Sequence, residues 1–183
     1  LKVGNSMDPE TQIGPLASAK QMQRVLSYVE IGHSEGAEVA VGGKRLMEGN
    51  LEKGFFLAPT VLGKVENSMR VAQEEIFGPV LAVMKAEGID DAIRLANGTE
   101  YALTGGIYAR SPAILAKARE QFDVGNLYLN RPITGAFVSR QPFGGHRFSG
   151  VGAKAGGDDY LSQFMITRVV SENTLRRGFE STQ

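Results

Sequence analysis

The chain has 183 residues, and its 20 lysine and arginine residues balance 20 aspartate and glutamate residues. This balance gives no electrostatic footprint for nucleic acid or an anionic membrane, and no apolar run approaches the roughly 20 residues that span a bilayer. The chain has no cysteine, so it supplies no disulfide, thiolate metal site or cysteine nucleophile. Without disulfides or an export signal, the expected location is the cytoplasm. The start, LKVGNSMDP, indicates a piece of a longer protein.

Helical spacing of apolar residues predicts a helix over residues 16–35, ended by Gly36. Its apolar stripe consists of Met22, Val25, Leu26 and Val29, with His33 at its end. A short strand is predicted over residues 38–41. Residues 55–61 contain Pro59, which favours either an edge strand or an irregular extended segment.

The middle of the chain alternates between strand and helix patterns. The apolar run 79–84 predicts a strand that is covered on both faces, and a helix follows over residues 89–97. A strand over 105–109 precedes a helix that begins at Ser111-Pro112 and ends near Phe122. The next strand covers 125–130. This alternation predicts an α/β fold, with a mostly parallel sheet and flanking helices.

The end of the chain predicts a late strand without a partner nearby in sequence. Residues 158–164 suit one or two helical turns, and residues 165–171 then alternate in the manner of a strand. A charged tail follows at residues 175–177. Such a strand suits a sheet edge that pairs with another domain or subunit.

Two neighbouring carboxylates, Glu74 and Glu75, precede Phe77 in the segment EEIFGP. Adjacent residues of an extended segment point to opposite faces, so the two glutamates cannot act as a facing acid–base pair. One interpretation is a surface turn. In the other, one glutamate accepts hydrogen bonds from two ribose hydroxyls, because a carboxylate is an acceptor only, and Phe77 packs on the sugar or base.

The glycine-rich segment (residues 134–160) is the second candidate site. Gly135-Ala136, followed by Pro142-Phe143-Gly144-Gly145, could form a carboxylate-binding nest with an aromatic wall, or a simple glycine-rich connection. Residues 150–156 fail the phosphate-loop pattern, and no GxGxxG dinucleotide fingerprint is present. His33 and His146 receive no role.

Four motifs, in order along the chain, resemble the aldehyde dehydrogenase superfamily. They are EEIFGPV at 74–80, AN at 96–97 with YALT at 101–104, GNLYLN at 125–130, and PFGG at 142–145 with SG at 149–150. Three further motifs look like the branch that acts on L-glutamate γ-semialdehyde, the 1-pyrroline-5-carboxylate dehydrogenases: TGA at 134–136, QPFGG at 141–145, and KAGG at 154–157 with YL at 160–161.

The resemblance implies that residues 1–164 are the C-terminal part of the family's catalytic domain. Residues 165–183 would supply an oligomerisation strand and tail. The parent protein would be an NAD-dependent enzyme of proline catabolism that oxidises L-glutamate γ-semialdehyde to L-glutamate. Members of this branch form homo-oligomers and are sometimes fused to proline dehydrogenase.

Carried over residue by residue, the resemblance makes Glu75 the ligand of the nicotinamide ribose hydroxyls, with Phe77 packed beside that end of NAD. Gly135 and Ala136 would donate backbone N–H groups to the substrate's α-carboxylate, and Phe143 would line its aliphatic stem. The family's nucleophilic cysteine, general-base glutamate and oxyanion asparagine lie upstream, so we expect this chain to be inactive alone. The alternatives are an aldehyde dehydrogenase with another substrate, and a non-catalytic assembly module that uses residues 165–173.

Overall fold

The computed structural model of the chain describes residues 1–174, which form an α/β fold of short elements. In chain order they are α1 (Ala19–Ser34), β1 (Glu38–Val41), a 3-10 turn (Gly49–Lys53), β2 (Thr60–Gly63), α2 (Arg70–Gln73), β3 (Val80–Ala82), α3 (Ile89–Asn97), β4 (Tyr101–Ala102), β5 (Thr104–Ile107), α4 (Pro112–Gln121), β6 (Asn126–Leu129), β7 (His146–Arg147) and a second 3-10 turn (Ser162–Phe164).

The helices begin where their capping residues predict. The Ser18 hydroxyl accepts a hydrogen bond from the Gln21 N–H at 3.1 Å at the start of α1. The Ser111 hydroxyl caps α4, which has proline at its first position. These side chains satisfy N–H groups that have no partner within the first turn of a helix. The predicted helices are therefore confirmed, with α1 shorter than predicted at both ends.

The buried face of α1 differs from the predicted stripe at its C-terminal end. Met22, Val25 and Val29 are buried as predicted, whereas His33 is exposed. Gly32 is buried in its place, and a Cβ there would lie 2.9 Å from Val71 Cγ1. The missing side chain lets α2 approach α1 closely, and His33, one residue further round the helix, faces away.

The strands form three small sheets among the described residues. In the first, β2 pairs antiparallel with β1 and parallel with β3. A second sheet pairs β5 with β6 in parallel, and a third pairs β4 with β7 antiparallel. The predicted parallel strands are present, but they lie in two sheets, with β2 and β3 in the first and β5 and β6 in the second.

The main core lies between α1, α2 and the first sheet, and it covers only one face of β3. Val80, Ala82 and Met84 pack against this core, while the intervening Leu81 is 59% exposed and Val83 is also exposed. The prediction of a strand covered on both faces is therefore wrong for residues 1–174. Side chains alternate across a strand, and no described element lies over the Leu81 face.

The structure tests the predictions for residues 55–61 and for residues 165–171. Residues 55–59, including Pro59, are irregular except for an isolated bridge between Leu57 and Arg45, and β2 begins at Thr60. An irregular extended segment is therefore confirmed for residues 55–59, whereas residues 60–61 begin the central strand of the first sheet. Residues 165–174 belong to no helix or strand, and Ile166 is 95% exposed. Strand pairing by residues 165–171 with another domain or subunit stays a prediction, as does a domain boundary at residue 164. The charged residues 175–177 lie outside the described residues.

Candidate functional site

The EEIFGP segment is held in place by α1. Gln21 Nε2 donates hydrogen bonds to the carbonyl oxygens of Ile76 at 3.0 Å and Phe77 at 2.7 Å. Arg24 Nη2 donates to the Glu75 carbonyl oxygen at 2.8 Å. Three successive carbonyl groups thus point at one helix, which fixes a segment that has no regular secondary structure of its own.

The neighbouring glutamates have different environments. Arg70 contacts both Glu74 carboxylate oxygens, at 2.7 and 2.9 Å, and the Tyr28 hydroxyl donates to Glu74 at 2.5 Å. These hydrogen bonds, with that from Arg70 the strongest influence, lower the pKa of Glu74 from its usual 4.5 to about 2. Glu75 is exposed, and its carboxylate makes no hydrogen bond or ion pair with another described residue. Of these two carboxylates, that of Glu75 is the one without a partner among residues 1–174.

Phe77 has an unusual backbone conformation and a projecting ring. Its φ is +59°, a region that non-glycine residues rarely adopt, and its side chain is 71% exposed. Gly78 lies against α1, where a Cβ would stand 2.5 Å from Val25 Cγ2. The close approach of Gly78 and the carbonyl contacts to Gln21 over-determine this strained conformation. The segment therefore presents an apolar ring next to a free carboxylate.

The loop that carries Phe143 is fixed to β6 and to the end of the glycine-rich segment. The Asn126 side chain donates to the Pro142 carbonyl oxygen at 3.0 Å and accepts from the Gly144 N–H at 3.2 Å. The backbones of Phe143 and Ala155 exchange two hydrogen bonds, of 3.0 and 2.9 Å. Phe143 remains 41% exposed, so its ring is available although its backbone is held.

Gly135 and Ala136 lie in the exposed turn that precedes this loop. Gly135 has φ of +86°, which glycine adopts without strain. Neither its N–H group nor that of Ala136 donates to any acceptor among residues 1–174. Two adjacent donors without a protein acceptor are suited to binding an anion such as a carboxylate.

The structure places the predicted residues in two groups. Glu75 and Phe77 lie against α1 and the first sheet, whereas Gly135, Ala136 and Phe143 lie by β6. A cavity of about 350 Å³ beside the second group is lined by Arg131, Gln141, Lys154 and residues of β6. No hydrogen bond between described residues joins the two groups.

An ion-pair cluster at β7 was missed by the sequence analysis. His146 Nε2 lies 2.8 Å from Asp123 Oδ1, and Arg147 binds the other oxygen of the same carboxylate. Arg147, and then the charge of His146, lower the pKa of Asp123. Because Asp123 lies 23 residues before His146, no local pattern could have revealed this partner. The cluster ties the glycine-rich segment to the α4–β6 connection.

Other site chemistries find no support in residues 1–174. No group of three or more histidine, cysteine, aspartate or glutamate residues there could hold a metal ion. None of the helices in this part of the chain combines the length and apolar character that crossing a membrane requires.

Comparison with known proteins identifies the family. Residues 1–170 match the model of the aldehyde dehydrogenase family. The chain belongs to this family. It is 49% identical over 172 residues to a 1-pyrroline-5-carboxylate dehydrogenase of Geobacillus sp. (strain WCH70) and 47% identical to that of Bacillus subtilis (strain 168). Each match covers 94% of this chain but 32% of the relative, so the chain spans about a third of the length of these aldehyde dehydrogenases.

Solved aldehyde dehydrogenase structures share the fold. The Thermus 1-pyrroline-5-carboxylate dehydrogenase with bound NAD matches with a TM-score of 0.83 and 50% identity, over 90% of this chain and 31% of that one. A Staphylococcus aureus betaine aldehyde dehydrogenase variant in complex with NAD⁺ matches with a TM-score of 0.88 and 32% identity, over 99% and 36%. These matches confirm the predicted family and the α/β fold as part of an aldehyde dehydrogenase. The binding roles predicted for individual residues stay predictions.

Proposed function

We propose that this chain is part of an NAD-dependent dehydrogenase that oxidises L-glutamate γ-semialdehyde, formed from 1-pyrroline-5-carboxylate, to L-glutamate in proline catabolism. The observation that carries the proposal is the pair of unpartnered N–H donors at Gly135 and Ala136, in a relative of 1-pyrroline-5-carboxylate dehydrogenases. They would bind the α-carboxylate of the substrate, and Phe143 would line its aliphatic stem. Charge-assisted hydrogen bonds of this kind discriminate strongly against aldehydes without a carboxylate.

The residues at the other group fit NAD. The Glu75 carboxylate, exposed and unpaired within the described chain, can accept hydrogen bonds from both hydroxyls of the nicotinamide ribose. The exposed Phe77 ring would pack beside that end of the cofactor. NAD⁺ supplies the hydride acceptor when bound. The similar Thermus protein has NAD bound, which supports this cofactor for the present chain.

The chain lacks a thiol for covalent catalysis. With no cysteine among its 183 residues, it cannot itself form the thioester intermediate that the family resemblance implies. We therefore expect no NADH when the purified chain is mixed with NAD⁺ and the semialdehyde. Aldehyde-dependent NADH formation would contradict the expectation that this chain is inactive without a cysteine thiol.

A binding experiment tests the proposed substrate class. L-glutamate is the product, and 4-aminobutyrate is the same molecule without the α-carboxylate. We expect L-glutamate, in an NMR titration of the ¹⁵N-labelled chain, to shift the amide signals of Gly135 and Ala136, and 4-aminobutyrate to leave them unchanged. Equal shifts, or none with either compound, would favour another aldehyde dehydrogenase substrate, as in the 32% identical betaine aldehyde dehydrogenase.

The proposal extends to assembly and location. The exposed apolar side chains of Ile166, Val169 and Val170 support a homo-oligomer that forms through residues 165–173. These side chains would equally suit a non-catalytic assembly module.

We place the protein in the cytoplasm because it has no cysteine for disulfides. A fused proline dehydrogenase domain in the parent protein belongs to the same proposal.

A further inference from the structure

The carbonyl groups of the turn at Gly135 face a pair of linked side chains. Arg131 Nη2 lies 3.4 Å from the Thr134 carbonyl oxygen. The Gln141 amide satisfies its neighbours when its nitrogen donates to the Gly135 carbonyl oxygen at 3.0 Å and its oxygen accepts from Arg131 Nη1 at 3.2 Å. Amide oxygen and nitrogen are assigned from such contacts. Arg131 and Gln141 therefore bind each other and two successive carbonyl groups.

These contacts determine where the free N–H donors point. The Thr134 carbonyl shares a peptide plane with the Gly135 N–H, and the Gly135 carbonyl shares one with the Ala136 N–H. All described peptide bonds are trans, so each N–H points away from the carbonyl of its own plane. With both carbonyls bound to Arg131 and Gln141, both N–H groups are aimed away from that pair.

Arg131 is itself held by a rigid element. Its guanidinium carbon lies over the ring of Tyr128, 5.2 Å from the ring centroid, within the roughly 6 Å over which an aromatic face attracts a cation. Tyr128 is only 5% exposed and belongs to β6, which pairs with β5. Through Arg131, the sheet formed by β5 and β6 thus holds a turn that is otherwise exposed. Gln141 is anchored by its own N–H, which donates to the Phe137 carbonyl oxygen at 2.7 Å.

The same contacts strengthen the two donors. Arg131 binds the carbonyl oxygen of Thr134, and Gln141 binds that of Gly135. Each contact polarises its peptide group, because hydrogen bonds in a chain reinforce one another. The N–H on the opposite side then becomes a better donor to a carboxylate. The orientation and the polarisation of the two N–H groups therefore both favour binding of a carboxylate.

We propose that Arg131 and Gln141 are positioning residues that set the carboxylate specificity of this site by fixing the Gly135 and Ala136 N–H groups. The inference rests on the proposed function, since it takes a carboxylate as the ligand of these two amides. Arg131 acts through the turn and makes no contact with the carboxylate. Lysine cannot replace it, because an ammonium group lacks the planar fork that reaches two acceptors at once.

The test compares four variants of the chain, Arg131→Gln, Arg131→Lys, Gln141→Met and Arg140→Gln, in the L-glutamate titration. Arg140→Gln is the matched control: it removes the same charge from an exposed residue whose side chain makes no hydrogen bond or ion pair with another described residue. We expect the first three variants to weaken glutamate binding about tenfold, the effect of a hydrogen bond to a charged group, and Arg140→Gln to bind as the unaltered chain does.

Amide signals of β5 and β6 that match those of the unaltered chain show that a variant is folded, and if one variant loses them the remaining variants decide. Unchanged binding by the folded variants would overturn the inference, and so would Arg131→Lys binding normally, since charge alone would then suffice. If the unaltered chain does not bind glutamate, the proposed function fails separately. The ligand-free Gly135 and Ala136 signals then decide: a shift in Arg131→Gln and Gln141→Met supports positioning, and no shift overturns it.

Discussion

Glu74 and Glu75 show how far two identical neighbours can differ once the chain is folded. Glu74 is a structural residue that joins α2 to α1 through Arg70 and Tyr28, whereas the carboxylate of Glu75 has no partner among the described residues. The sequence showed that the two carboxylates could not act together, because they point to opposite faces. It could not show which one was free, since Tyr28 lies 46 residues away.

Replacement of Glu74 by glutamine should make stability depend less on pH. The pKa of Glu74 is about 2 in the folded chain and 4.5 when unperturbed. Its stabilising contribution is therefore complete above about pH 4.5 and is lost as the pH falls towards 2. We expect Glu74→Gln to lower the midpoint of thermal unfolding at pH 7, and this difference to shrink between pH 4.5 and 2.

Glu75→Gln is the matched control for this experiment. It makes the same change at the next residue, whose side chain has no partner in the described chain, so its unfolding midpoint should follow that of the unaltered chain at every pH. A loss of stability in Glu75→Gln as large as in Glu74→Gln would show that the assignment of the two roles is wrong.

Gly135 provides a second test at the residue scale. Alanine at a φ of +86° costs about 1 kcal/mol, because the Cβ crowds the backbone there. Gly49 also has a positive φ, +58°, and a Cβ there would meet nothing within 4 Å. We expect Gly135→Ala and Gly49→Ala to lower the free energy of unfolding similarly, measured by urea denaturation.

Only Gly135→Ala should weaken L-glutamate binding in the NMR titration, because only that substitution disturbs the turn that holds the two N–H donors. Normal glutamate binding by Gly135→Ala would contradict the proposed site. The glycine content of this segment suggested close backbone approach or positive φ, and the structure shows positive φ at Gly135, Gly150, Gly152 and Gly156.

At the scale of elements, the connection between β6 and the glycine-rich segment is the closest backbone contact of the site. A Cβ on Gly125 would lie 2.7 Å from Gly145 Cα and also clash with the Gly144 carbonyl group. Both obstacles are backbone atoms, which cannot move by changing rotamer. The loop that carries Phe143 therefore depends on a glycine that precedes β6.

We expect Gly125→Ala to lower the free energy of unfolding by about 1–3 kcal/mol, the usual cost of overpacking, and to broaden the amide signals of residues 142–145. Gly63→Ala is a suitable control in β2, where a Cβ would meet only the Glu38 carbonyl oxygen, at 4.0 Å. Gly63→Ala should change stability little. Equal effects of the two substitutions in chemical denaturation would contradict a close packing of Gly125 on the loop.

Most elements could be predicted because their signals are local. Ser18, Ser111 and Pro112 mark helix starts, and Gly98 marks the end of α3. The pairing of β4 with β7 was missed because these two-residue strands have no periodicity to detect and lie more than 40 residues apart. The exposure of Leu81 was also missed, since an apolar run does not reveal what covers each of its faces.

At the scale of the molecule, the two predicted groups of site residues lie on separate parts of a chain that spans about a third of its relatives' length. Ile166, Val169 and Val170 are all more than two-thirds exposed in the extended C-terminal segment. Apolar surface of this kind favours association with another chain. The segment is interpreted either as part of a non-catalytic assembly module or as the oligomerisation strand of an enzyme. Both interpretations require it to make contacts between chains.

Removal of residues 165–183 should therefore lower the number of chains in each assembly, obtained from the molar mass that sedimentation measures. A double variant, Ile166→Asp with Val170→Asp, should have the same effect without shortening the chain, because both residues would lie on one face of the strand predicted over 165–171. An unchanged number of chains per assembly in both proteins would contradict association through this segment. Glutamate binding at Gly135 should be retained in the double variant.

The sequence by itself determined the family, the α/β class and the positions of α1, α3 and α4, since motifs, caps and apolar periodicity are properties of neighbouring residues. Only the tertiary structure decided which glutamate carboxylate has no partner among residues 1–174, in which direction the N–H groups of Gly135 and Ala136 point, and that Arg131 and Gln141 bind the turn. Those answers depend on side chains such as Tyr28 and Tyr128, which pack against the site from other elements. Hydrogen bonds across such distances follow from the packing of helices and sheets, and no local pattern encodes them.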